Sequence, residues 1–207
     1  MKERNFTIIA LSVFAIERMA VSFLNIFRSS MSQASRNLYL DLVTVVFNWL
    51  LPIIVVYRIE RRDPNSLGLV VPKSKYVRYA LYTIICIAAP AIYFGPSIGL
   101  LTDVLEQILF IGLAEEFFYR GYLMTRLCTS LGSTRGLLLN ATLFSLAHIV
   151  FIVTNEGLRH LDFLATTTLQ TFIGGLLLGY LYQRSRNIVP SSVIHISMNL
   201  YLSRLVG

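Results

Sequence analysis

The sequence predicts an all-α protein, a polytopic transmembrane helical bundle of about seven spans. Two observations predict it. Of the 207 residues, 55% are hydrophobic and only 14% charged, against roughly 25% charged in a soluble domain, and the mean hydropathy is +0.65. Apolar runs of about 18 residues or more recur along the chain, long enough to cross a hydrocarbon core. Lipid leaves backbone groups no water to bond, so each run must close its hydrogen bonds internally as a helix. The chain reads as one transmembrane domain, 1–207, with no room for a separate soluble one.

The spans fall at roughly 6–27, 38–57, 76–95, 100–124, 136–153, 162–183 and 188–206. Span one, in "MKERNFTIIALSVFAIERMA", has a basic start like a signal peptide. Glu17 and Arg18 interrupt its apolar run, and no small-residue cleavage site follows. It is expected to be a retained helix, with that pair facing other helices or an interface. Pro64, Gly68 and Pro72 mark the loop between spans two and three. Gly95 and Pro96 mark a tight turn, and Gly132 and Gly136 flank the loop after span four. Gly175 and Gly179, in "TFIGGLLLGYLY", have the spacing of a close helix contact. Pro190 suits the first turn of span seven.

The formal net charge is +7. Its distribution points to membrane topology and away from nucleic acid. The segment 58–78 carries Arg58, Arg61, Arg62, Lys73, Lys75 and Arg78. The loop after span four carries Arg126 and Arg135, the loop after span six Arg184 and Arg186, and Lys2 and Arg4 precede span one. Seven spans put all of these on one side. The other side has Arg28, Arg36 and a near-neutral 154–161. The positive-inside rule then places the N-terminus and the basic loops in the cytoplasm. Cys86 and Cys128 lack the spacing of a redox or metal pair.

Polar residues inside the spans are few, and intramembrane ionisable groups are functional candidates. Span four has Glu115, Glu116 and Arg120; span five has His148; span seven has His195 and Asn199. Counted from the basic ends, Glu115 lies about 16 Å deep, His148 about 18 Å and His195 about 10 Å. Three helices thus bring an acid and two histidines to similar levels, read as a site in the cytoplasmic half that is expected to open to the cytoplasm. Glu116 and Arg120 are four apart and share a face, so they can pair. Glu115 is turned about 100° away and looks elsewhere. Phe144 and His148, and likewise His195 and Asn199, are also four apart. HExxH is absent, Asp103 and Asp162 lack a GxGD context, and no Gly-x-Ser-Gly occurs. His160 falls in a far-side loop and is given no role.

The ordered set Glu115-Glu116-Phe-Phe-Tyr-Arg120, Phe144-Ser-Leu-Ala-His148 and His195-Ile-Ser-Met-Asn199 resembles the CAAX protease and bacteriocin-processing family. That family is also called Abi and includes the type II CAAX prenyl endopeptidases. The resemblance covers about 100–202, with Phe172, Gly175 and Gly179 also family-like. It implies a catalytic core at 100–207 behind accessory helices at 1–99, and an intramembrane endopeptidase acting on a membrane-associated peptide or prenylated protein. Glu115 and His148 would hold and deprotonate a water, and His195 and Asn199 would donate to the oxyanion. Glu116, Arg120 and Phe144 would support them. Zinc is possible, held by Glu115, His148 and His195. A site without tightly bound metal is favoured, because each histidine stands on its own helix and Asn199 supplies a donor that needs no ion. The rival readings are a non-catalytic membrane interaction or immunity protein, and a proton-coupled transporter using Glu115.

Overall fold

The computed structural model describes residues 3–23, 30–95, 97–156 and 161–206. Arg28, Pro96 and His160 lie outside the described residues. Among the described residues eight long helices follow one another: α1 (Glu3–Phe23), α2 (Gln33–Ile59), α3 (Tyr76–Phe94), α4 (Ile98–Leu109), α5 (112–131), α6 (Ser133–Glu156), α7 (Leu161–Ser185) and α8 (Val189–Val206). There is no strand among the described residues. Among the described residues four segments are long and apolar enough to cross a membrane: Asn5–Phe23, Gln33–Ile59, Lys73–Phe94 and Leu161–Ser185. Large apolar side chains are exposed along the helices, Ile92 and Ile98 each at 83%. An apolar exterior of this extent belongs to a protein whose solvent is lipid.

Six of the seven sequence spans coincide with single helices; the fourth does not. The chain breaks at Phe110 (φ −122°, ψ −23°) and Ile111 (φ −116°, ψ −88°). Both backbone N–H groups there donate to the Glu106 carbonyl, at 2.8 and 3.2 Å. The result is α4, capped by Ser97, and a separate α5. Leu100 and Val104 of α4 pack on Ile196 and Leu200 of α8. α5 can start where it does because Gly112 crosses α8 closely: a Cβ there would stand 2.6 Å from the Ile196 side chain.

α5 also runs past the end the sequence suggested. Arg126 is not a loop cation but a buried helix residue, 2% exposed. Its Nε and Nη2 donate to the two carboxylate oxygens of Glu60, at 3.1 and 2.7 Å. Gly136, which flanks the loop after span four, sits in α6 with room for no more than a hydrogen against Cys128 of α5. Wide π-turns occupy Phe117–Met124 of α5, and Thr44–Leu50 and Val55–Ile59 of α2. In α2 they bracket Pro52, whose ring cannot donate and clashes with a regular turn. In α5 the wide turn leaves carbonyls for side chains: Asn140 Nδ2 donates to the Tyr119 carbonyl at 2.8 Å.

The seam between α6 and α7 is made by small residues. A Cβ at Gly175 would stand 3.1 Å from Ala141 Cα, and one at Gly179 would meet Leu137 at 2.5 Å. The GxxxG spacing is a packing device. The core is aromatic, with Phe117, Phe118, Tyr119 and Tyr122 buried around Phe14, Phe144 and Tyr182.

Candidate active site

The site forms where the start of α5 meets the middles of α1, α6 and α8. Glu116 is fully buried. Its Oε1 lies 2.9 Å from Arg120 Nη1, the i, i+4 partner, and 3.0 Å from His195 Nδ1 on α8. The Arg120 guanidinium lies 4.3 Å over the Phe144 ring, a cation–π contact in a buried setting. Phe144 also touches both histidine rings, with centroids at 4.6 Å from His148 and 5.8 Å from His195. One phenyl ring therefore spaces the arginine and both imidazoles.

The hydrogen bonds assign the histidine nitrogens. His148 Nδ1 lies 2.9 Å from the carbonyl of Phe144, which accepts only, so Nδ1 carries a proton and Nε2 is left for other work. His195 Nδ1 faces the Glu116 carboxylate, so by the same argument it donates there. His195 Nε2 then points toward Glu115 Oε2, 3.7 Å away. That is beyond hydrogen-bond length. Oε2 of Glu115 is buried without a hydrogen-bond partner, yet the Glu115 side chain as a whole is 24% exposed.

Glu115 and His148 line one cavity of about 400 Å³. Glu17 and Arg18 of α1 are in its wall, as are Asp41 of α2 and Tyr119 of α5. Arg18 is ion-paired with its neighbour Glu17 and donates to the Ala147 carbonyl at 3.3 Å. The two charges that interrupt span one thus belong to the site's wall, and the cavity draws on both halves of the chain. His195 stands behind Glu115, 6% exposed. Asn199 is turned to α4, donating from Nδ2 to Gln107 Oε1 at 2.9 Å. Gln107 was not singled out in the sequence, and nothing in its local pattern marks it; its partner arrives from 92 positions away.

The basic loops and the cavity lie at opposite ends of the bundle. Asn187 Nδ2 donates to the Val70 carbonyl and Gln183 Nε2 to that of Ser133, both at 2.8 Å, which gathers the segments 58–78, 131–135 and 183–188. The cavity leads the other way, to the first turns of α2.

Among the described residues, no three His, Cys, Asp or Glu side chains group closely enough to hold an ion. Glu115 and His195 approach each other, whereas the His148 ring is held against its own backbone.

Residues 97–201 match the family described as Type II CAAX prenyl endopeptidase Rce1-like. No curated protein and no solved structure matches the chain. The match takes in all three motifs and half the length of the chain, and the protein accordingly belongs to the Rce1-like family of type II CAAX prenyl endopeptidases.

Proposed function

We propose that the protein hydrolyses a peptide bond of a membrane-associated substrate with a water activated by Glu115 and His148. The observation that carries this reading is the unequal treatment of the two adjacent glutamates. Glu116 is locked between Arg120 and His195, while Glu115 reaches the cavity wall shared with His148. The Glu115 carboxylate and His148 Nε2 hold a water and take its proton as it attacks the carbonyl carbon. The tetrahedral oxyanion is met by His195, which, when protonated, donates from Nδ1 to Glu116 and from Nε2 to the new charge. Asn199 uses one N–H for Gln107, and its second N–H is the further donor this reading assigns to the oxyanion. Collapse of the intermediate breaks the C–N bond, and the proton held by Glu115 passes to the leaving amine.

A purely structural cluster would be sealed, and the Glu115 side chain, 24% exposed at the wall of a cavity, argues against that. The route runs through water and protein groups, without a tightly bound metal. The decisive comparison is of peptides released in membranes carrying the intact chain and Glu115→Gln. Loss of the base is expected to lower cleavage by about 10²–10⁴-fold, and chelator-washed enzyme is expected to stay active without bound zinc. Undiminished cleavage by Glu115→Gln would end the catalytic proposal.

A further inference from the structure

We propose that Gln107 of α4 is a positioning residue for the reaction. It holds the Asn199 carboxamide so that one N–H faces the oxyanion, and it refers that donor to the same break in the chain that sets Glu115. The proposal rests on the peptidase reading above and adds to it a residue outside the three motifs.

Asn199 Nδ2 donates to Gln107 Oε1 at 2.9 Å. An asparagine amide can meet a neighbour with its carbonyl or with its NH₂. The acceptor on Gln107 selects the NH₂ end. Both N–H bonds leave one nitrogen, so fixing the first fixes the second. Without that acceptor the Asn199 amide is free to turn its own carbonyl toward the forming oxyanion, which would repel it.

Gln107 stands at the joint between α4 and α5. The helix α4 ends two residues later, and Phe110 and Ile111 carry the break. Gly112 follows, and a Cβ there would lie 3.2 Å from Gln107 Oε1 and 2.6 Å from Ile196 of α8. The bare backbone at Gly112 is what lets the Gln107 amide and α8 both close on the start of α5. Glu115 comes three residues further, its N–H bonded to the Ile111 carbonyl at 2.8 Å. The base and the oxyanion donor are thus set from the two sides of one joint.

The joint is pinned from outside as well. Trp49 Nε1 of α2 donates to the Leu109 carbonyl at 3.0 Å, and its ring stacks on Phe117 with centroids 4.9 Å apart. Leu100 and Val104 of α4 pack on Ile196 and Leu200, which flank Asn199 on α8. An anchor seated this way gives the donor a fixed direction before the charge develops, which is what makes it effective. Glu106, Phe110 and Ile111 line the cavity, whereas the Gln107 amide is spent on Asn199. Gln107 therefore acts through Asn199 and not on the substrate.

A double-mutant cycle on the full chain tests this, with a fluorogenic peptide bearing a prenylated CAAX-type tail as the probe. kcat and KM are measured for the parent, Gln107→Met, Asn199→Ala and the pair. Methionine keeps the length of glutamine without the amide acceptor. Asn199→Ala is expected to lower kcat by about 10²–10³-fold, the cost of one oxyanion donor. Gln107→Met is expected to lower kcat by about 10–100-fold, the effect of a slightly misplaced group, with KM unchanged and melting near the parent. The pair should be no slower than Asn199→Ala alone, because no donor is left to position. Gln107→Glu retains an acceptor and should recover most of the lost rate. Losses that multiply in the pair, a raised KM in place of a lowered kcat, or no recovery in Gln107→Glu would each overturn the proposal. Gln107→Ala takes the place of Gln107→Met in the cycle if the methionine variant does not fold. Parental kcat in Asn199→Ala removes the oxyanion role of Asn199 and this proposal with it. Loss in Asn199→Ala beside parental kcat in Gln107→Met removes this proposal alone.

Discussion

Glu115 and Glu116 are covalent neighbours with unlike surroundings, and a helix turn of about 100° between them is enough to produce the difference. Glu116 is the ion-pair partner of a fully buried arginine, whose guanidinium also lies over the face of Phe144. Glu116→Gln leaves Arg120 charged in a dry core, and breaking a buried pair this way costs about 3–5 kcal/mol. A lower melting temperature in detergent is expected for Glu116→Gln, with Glu115→Gln melting near the parent. Equal melting of the two variants would contradict the division of labour. The Glu116–Arg120 pair was legible in the sequence, because i, i+4 neighbours on a helix must meet. Asn199 with Gln107, and Arg18 with the Ala147 carbonyl, were not. Those contacts depend on how separate helices are docked, which periodicity within one helix does not encode.

At the scale of the helix, the ends of the apolar runs were readable because hydropathy changes there. The break at Phe110–Ile111 was not, since residues on both sides are apolar and neither is proline. Arg126 misled for a related reason: an arginine after an apolar run looks like a loop cation until Glu60 is docked against it. Gly121 shows how tightly α5 is seated. A Cβ there would lie 2.3 Å from the Leu67 carbonyl oxygen, a backbone atom that side-chain rotation cannot move away. Gly121→Ala is therefore expected to destabilise by about 1–3 kcal/mol, the usual cost of overpacking. The turn at Pro64–Leu67 should also loosen from α5, seen as faster proteolysis within 60–72. Parental stability and proteolysis rates in Gly121→Ala would show that this contact is not rigid.

At the scale of the molecule, the apolar exterior sets the thermodynamics of unfolding. Side chains such as Val77, 74% exposed, and Ile92 already face the surroundings in the folded state. The α6–α7 seam is closed by Gly175 and Gly179 against Ala141 and Leu137, not by water expelled from large side chains. When such helices separate in a bilayer, hydrocarbon meets hydrocarbon, and little apolar area becomes hydrated. The heat-capacity increment of unfolding reports that hydration and little else. Scanning calorimetry in bicelles is expected to give a value well below the roughly 12–15 cal/mol/K per residue of water-soluble domains, with a stability curve almost straight in temperature and no cold denaturation in reach. A soluble-like increment would mean that the bundle is held by water after all.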